Sequence, residues 1–292
     1  MGIPPRILIF LAVGLVAASQ SGNLIRIGDA HPLAIAAWRL ILASLVLAPF
    51  AVPHRQVLAT RPGHERALLV LTGVVLAAHL TTWTAAIQWT TVANATSVLA
   101  LGPVVTAFGA LLFLGEKPRP RFVVAVLLGF SGVVAIGGGD LRLDPSHAAG
   151  DAMAVLSMVL FSAYLLLGRR LRGEVPNILY VTVVYAVAGV SAAVLLVMVG
   201  QPVFDHGARN WLCFALMAAI PTLIGHTAIN SALRYISAGQ AALATLVEPP
   251  LAGLVAWWVW AEPLTRHGAA GYALIAGAVL LLVTDRPAVA TG

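Results

Sequence analysis

The chain has 292 residues, 60% of them hydrophobic and 10% charged, with a mean hydropathy of +0.94. A soluble domain carries about 25% charged residues, so these charges are too few to cover a water-facing surface, and lipid must solvate most of the chain. The formal net charge of +6 comes from basic residues scattered between apolar runs, not from a dense stripe, which excludes a nucleic-acid partner.

Cys213 is the sole cysteine of the sequence, so no intrachain disulfide and no cysteine metal cluster can form. No metal and no cofactor is expected. Arg6 followed by Ile7 to Ala18, with Val16-Ala17-Ala18 as a cleavage-like site, resembles a signal peptide. The apolar stretch continues to Ile25, however, and is long enough to be read as a first membrane helix.

A span needs about 20 mostly apolar residues. In chain order the sequence predicts spans at 7–25, 33–52, 67–87, 93–114, 122–139, 150–168, 178–199, 211–233, 238–260 and 268–284. The connections are short and carry nearly all the charge. The fold class is therefore an all-α polytopic membrane protein with ten transmembrane helices.

Polar groups in hydrocarbon are expensive, and each asks for a partner or a task. Arg39 lies inside the second span, where it can snorkel outward or pair with a cavity anion; a structural role is the preferred reading. The third span carries His79, Thr82 and Trp83 on one helical face. An imidazole beside an indole can hold a small amphipathic solute, whereas the plainer reading is a helix–helix hydrogen bond. In the fourth span Asn94, Ser97 and Leu101 share a face just before Pro103, which removes a backbone donor and kinks the helix.

The fifth span holds Gly129 and Gly132, which, with Gly277 of the tenth, read as close-packing positions. Span six offers Ser157, Phe161 and Tyr164 on one face, with Tyr164 as a cavity aromatic. Span eight carries His226 and Asn230 one turn apart, near Pro221. In span nine Glu248 precedes Pro249, a second kink, and a carboxylate there costs about 2.5–3.5 kcal/mol on insertion scales. Proton coupling is one use for Glu248, and a structural hydrogen bond is the commoner one. Trp257, Trp258 and Trp260 at the end of this span read as an interfacial aromatic belt.

Positive residues set the orientation. With the N-terminus inside, the inner segments hold Arg6, Arg55, Arg61, Arg66, Lys117, Arg119, Arg121, Arg169, Arg170, Arg172, Arg234 and Arg286. The outer loops hold Arg26, Arg142, Arg209 and Arg266. Both termini are thus placed in the cytoplasm.

A shift of 146 residues superimposes Pro103 on Pro249 and Glu116 on Glu262, with Thr81 on Thr227 and Ala95 on Ala241. The chain divides into a first repeat, 1–144, and a second, 145–292. Five helices is an odd number, so the halves enter the membrane in opposite senses, an arrangement found in secondary transporters with the substrate between the halves.

Leu101-Gly102-Pro103 through Leu114-Gly115-Glu116 resembles the end of one EamA domain, and Val247-Glu248-Pro249-Pro250 through Ala261-Glu262-Pro263-Leu264-Thr265 resembles the end of a second. Trp38-Arg39 matches the same pattern, while Ala261 stands where glycine is usual. The chain thus resembles the EamA-type ten-helix transporters of the drug/metabolite transporter superfamily and is similar to the YddG-like amino-acid exporters. The resemblance implies a basket of ten helices in the inner membrane, with helices three, four, eight and nine around a central cavity.

The sequence holds no G-x-x-x-x-G-K-[ST] loop and no soluble domain, so a gradient-driven or facilitated carrier is expected, not an enzyme. The candidate lining (His79, Thr82, Trp83, Ser97, Leu101, Tyr164, His226 and Asn230) is neutral or aromatic, which suits zwitterions such as neutral and aromatic amino acids. Di-anionic substrates would want clustered Arg or Lys. The small-molecule substrate and the bilayer are the expected partners, and the chain is read as a monomer.

Two alternatives carry residues of their own. A quaternary-ammonium exporter of the same superfamily would use Glu248 to bind the cation. An intramembrane serine protease would use Gly129-Phe130-Ser131-Gly132 with Ser131 as nucleophile and His226-x-x-x-Asn230 as its base element.

Overall fold

A computed structural model describes residues 4–90, 92–137, 145–171, 175–260 and 266–284. Ala261 to Thr265, Arg142, Arg172 and Arg286, and the side chains of Asn94 and Trp260, lie outside the described residues.

Among the described residues eight helical stretches are long and apolar enough to cross a membrane. They are α1 (Pro5–Ile25), α2 (Pro32–His54), α3 (Gly63–Trp89), α4 (Ala95–Leu114), α6 (Ala148–Leu171), α7 (Asn177–Met198), α8 (Ala208–Ala232) and α9 (Ala238–Val259). Two further helices, α5 (Pro120–Gly137) and α10 (Arg266–Thr284), pack against each other beside them, so eight of the ten expected spans are supported by length and composition among the described residues.

The boundaries follow from local chemistry. Proline stands at or just before the first turns of α1, α2, α3, α5 and α7, where a missing N–H costs nothing. His31 caps α2 by accepting from the Leu33 N–H. Ser237 and Gln240 form a reciprocal capping box at the start of α9. Gly115, at φ 68°, ends α4 and lets the Glu116 N–H bond to the Ala110 carbonyl six residues back.

The packing pairs are α1 with α8, α3 with α6, α4 with α6, α1 with α9, α3 with α7, and α2 with α8. In addition α2 packs on α7, α4 on α9, and α5 on α10. Exchanging the first five helices for the second five maps these pairs onto one another, whereas α6 also packs on α9 with no equally close contact between α1 and α4.

Large apolar side chains such as Leu45, Phe108, Phe113, Leu127 and Trp258 face outward, while Arg39, Thr72, His79, Thr106, Ser157 and Asn230 are buried. Polarity therefore rises toward the centre, the distribution expected of a protein solvated by lipid. Between such helices, close packing and buried hydrogen bonds replace the hydrophobic driving force. The α5–α10 contact shows the packing part: a Cβ on Gly132 would sit 2.7 Å from the Gly271 carbonyl oxygen. Gly277 has open space around it, so Gly271, and not Gly277, is the close-approach partner of Gly132. The difference is one of helix phase, because Gly271 and Gly277 point in different directions on α10.

Candidate functional site: a central cavity

A cavity of about 100 Å³ opens between the two groups of five helices. Its wall comes from α1, α3, α4, α6, α8 and α9. Helices α2, α5, α7 and α10 stay outside it and pair with one another.

The backbone around the cavity is irregular for identifiable reasons. In α4 the helix Val92–Leu99 stops, Ala100 and Leu101 form a turn, and a new helix begins at Gly102 with Pro103 in its first turn. In α9 the helix Ala238–Ala244 passes through a 3₁₀ turn, Thr245–Val247, before Glu248–Trp260 resumes with Pro249 and Pro250 in its first turn. Neither Pro103 nor Pro249 can donate to the carbonyl four residues back, and the Thr245 carbonyl accepts instead from the Glu248 N–H in the 3₁₀ turn. Both breaks line the cavity, where irregular backbone is tolerated in a membrane protein.

Trp83 and Phe161 supply aromatic wall on two different helices. His79 stacks on Phe161 with ring centroids 4.9 Å apart, and His226 lies 6.5 Å from His79 and 6.3 Å from Tyr164. The Nδ1 of His79 is 3.0 Å from both the carbonyl oxygen and the Oγ of Ser157. A carbonyl can only accept, so in that contact Nδ1 is the donor. His226 Nδ1 is buried with no hydrogen-bond partner among the described residues.

The cavity gathers some of the residues that the sequence singled out and leaves others behind it. His79, Trp83, His226, Glu248, Pro103 and Pro249 are on its wall. Tyr164 and Asn230 are fully buried beneath it, where the Asn230 amide donates to the Tyr164 hydroxyl and, at 2.7 Å, to the His226 carbonyl. The Thr82 hydroxyl is turned back onto the Ala78 and His79 carbonyls of its own helix, at 2.8 and 3.0 Å. Ser97 is buried away from the wall, and Leu101 is 39% exposed at the α4 break. Arg39 does not snorkel: its side chain is fully buried and its Nε donates to Thr222 Oγ1 at 2.9 Å. Ser131 is exposed on α5 and makes no hydrogen bond with His226, so the two form no nucleophile–base pair.

Sequence reasoning missed the contribution of α1. Ser19, Ser21, Asn23 and Arg26 all line the cavity, and the Asn23 amide donates to the Ala252 carbonyl of α9 at 3.3 Å. The signal was present as a polar run, Ser19-Gln20-Ser21-Gly22-Asn23, in the last turns of an otherwise apolar helix. Phe161, rather than Tyr164, is the aromatic that α6 presents to the cavity.

At the ends of α4, α6 and α8, Arg169 Nε binds Glu116 Oε1 at 2.8 Å while Arg169 Nη1 donates to the Leu233 carbonyl at 2.7 Å. One guanidinium thus ties three cavity-forming helices together.

A helical bundle with outward apolar faces, a central mixed cavity and broken helices beside it is the architecture of a membrane transporter. The comparisons agree. The EamA-like transporter family profile matches residues 5–138 and again 148–284. The chain is similar to an "Uncharacterized transporter" of Archaeoglobus fulgidus, 27% identical over 83% of each chain, and to the "Uncharacterized transporter YyaM" of Bacillus subtilis, 21% identical over 80% of this chain and 78% of the other. It is also similar to human "Solute carrier family 35 member G1", 24% identical over 75% of this chain and 62% of that one. A solved crystal structure superimposes with a TM-score of 0.78 over 96% of both chains at 19% identity, a likeness of fold. The chain belongs to the EamA-like transporter family of the drug/metabolite transporter superfamily.

Proposed function

We propose that the protein exports small neutral or zwitterionic metabolites, amino acids including aromatic ones among them, by alternating access. The observation that carries this reading is the cavity itself, which combines aromatic wall from Trp83 and Phe161 with polar groups of both signs. Asn23 and Arg26 on α1 suit a carboxylate, Glu248 on α9 suits an ammonium group, and the rings between them suit a side chain. Among the described residues no cluster of cationic side chains lines the wall to favour a di-anion.

The ten helices act as two five-helix halves of opposite sense, and rocking of one half against the other carries the site from one face to the other. The twofold pairing of helices and the matched breaks before Pro103 and Pro249 support this scheme. The Arg169–Glu116 pair is the closure at one end. The excess of arginine near that end favours a cytoplasmic location for it and for both termini, and the proposed setting is the inner membrane.

Counterflow in proteoliposomes with labelled amino acids tests the substrate. Exchange of phenylalanine, leucine or alanine supports the reading, and absence of all amino-acid flux overturns it. One observation favours a second substrate class: Glu248 lies on the cavity wall and has no hydrogen-bond or ion-pair partner among the described residues. A carboxylate so placed also suits a quaternary ammonium cation. Quaternary-ammonium flux that Glu248→Gln abolishes, without amino-acid flux, would establish that class instead.

A further inference from the structure

We propose that Arg39 is a positioning residue for the transport site: its guanidinium fixes the rotational register of the second part of α8 and so holds the His226 imidazole in the cavity. The proposal rests on reading the cavity as the substrate site.

The chain of contacts begins at Pro221. Proline has no N–H, so the Met217 carbonyl four residues back loses its helical partner. The five-residue reach of the π segment brings the next residue over that carbonyl, and Thr222 Oγ1 adds a side-chain bond to it at 2.8 Å. The helix widens here into a π segment, Ala218–His226, with hydrogen bonds reaching five residues instead of four. Thr227 Oγ1 makes the same five-residue reach to the Thr222 carbonyl at 3.3 Å. From α7 the Tyr185 hydroxyl lies 3.2 Å from Thr227 Oγ1 and 3.4 Å from the Thr222 carbonyl. From α2 the Arg39 Nε donates to Thr222 Oγ1 at 2.9 Å. The Thr222 hydroxyl has one proton, committed to Met217, and Arg39 donates to one of its two lone pairs. The guanidinium therefore locks the hydroxyl in the orientation that the wide turn needs.

Ion pairing does not account for Arg39. Burying a cation is costly, and no carboxylate contacts it among the described residues. Nη1 and Nη2 are buried without hydrogen-bond partners, so the bond to Thr222 is the one specific contact this side chain makes among the described residues.

The register matters because a wide turn holds one residue more than an α turn. Every residue after it is displaced by about 100° relative to an uninterrupted α-helix. In the wide register His226 and Ile229 face the cavity, while Gly225 packs against the backbone of Ala18 and Ala228 packs toward Gly14 on α1. In an α register the place of His226 passes to Gly225, which has no side chain. The cavity would then lose an imidazole and α1 would lose the flat surface it packs on.

The test reads cavity geometry without any substrate, so its failure is distinct from failure of the substrate assignment. The rate of modification by a small methanethiosulfonate is measured for His226→Cys on α8 and, as reference, Trp83→Cys on α3, each in a Cys213→Ala background in proteoliposomes. Adding Arg39→Gln is expected to slow modification at 226 roughly tenfold or more, the change that follows when the minor register becomes the main one, with the rate at 83 unchanged. Thr222→Val should do the same, and Thr222→Ser, which keeps the hydroxyl, should preserve the original rate. An unchanged rate at 226 in Arg39→Gln or Thr222→Val overturns the proposal. Equal slowing at 226 and 83 also overturns it, since that is general collapse of the cavity. If Arg39→Gln does not fold, the Thr222→Val and Thr222→Ser pair decides.

Discussion

Replacing Arg169 with glutamine should open the cavity at the end where α4, α6 and α8 meet. Arg169 makes two charge-assisted contacts there, to Glu116 at 2.8 Å and to the Leu233 carbonyl at 2.7 Å. The Arg169 and Glu116 side chains are 30% and 24% exposed, so water screens the pair only in part. Fully exposed pairs contribute about 0.2–1 kcal/mol and charge-assisted hydrogen bonds about 1.5–3 kcal/mol. A value of about 1–2 kcal/mol in favour of the closed end is reasonable, which is roughly a 5- to 30-fold shift in the closed-to-open ratio when it is removed. Ala242→Cys reports on that end, because Ala242 lines the cavity near the start of α9 and is 1% exposed in the closed form. An impermeant thiol reagent added from the side of the chain termini should modify it 5- to 30-fold faster, on the same basis, in Arg169→Gln. Glu116→Gln keeps an acceptor and should fall at the low end of the range. The charge swap Arg169→Glu with Glu116→Arg should recover only part of the closure, because glutamate cannot donate to the Leu233 carbonyl. Equal reactivity of Ala242→Cys with and without Arg169→Gln, in folded protein, would refute the closing role. Full recovery in the swap would refute the share assigned to the carbonyl contact.

Other consequences are open to direct measurement. Trp83→Ala and Phe161→Ala should raise KM for phenylalanine more than for alanine, by roughly 2- to 12-fold, since an aromatic pair adds about 0.5–1.5 kcal/mol beyond area burial; equal effects on both substrates would remove these rings from the side-chain site. Pro103→Ala and Pro249→Ala should lower transport more than thermal stability, because each returns a hydrogen bond to the helix ladder while straightening the cavity wall; parallel loss of folded protein and transport would make the breaks merely structural. Reporter fusions after Arg61 and after Arg172 should both read cytoplasmic, and an external reading for either would overturn the orientation and the inverted repeat together.

The parts legible in the sequence are those that composition and period encode. Long apolar runs bounded by Pro, Gly and charge gave helix positions within a few residues of α1 to α10, because in lipid the backbone must satisfy itself and helix is the available solution. The breaks near Pro103 and Pro249 were legible because proline acts through local covalent geometry. The distribution of polar side chains between cavity and interior was not. Thr82, Ser97, Tyr164 and Asn230 share helical faces with cavity residues, yet they are spent on intramolecular bonds or buried beyond the wall. Periodicity selects a face, and a face about 100° wide touches both the cavity and the neighbouring helix.

The π segment of α8 shows why that choice escapes a one-dimensional reading. A template of 3.6 residues per turn places Thr222, His226, Ile229 and Asn230 on one stripe. The wide turn rotates the later residues relative to the earlier ones, so Thr222 meets Arg39, His226 and Ile229 meet the cavity, and Asn230 meets Tyr164. Pro221 opens the wide turn, and a contact between α2 and α8, residues 183 positions apart, braces it. A buried arginine in the second span and a proline in the eighth are each visible as anomalies in the sequence. Their joint effect on which side chain faces the cavity exists only once the two helices are packed together, a level that no single-helix pattern encodes.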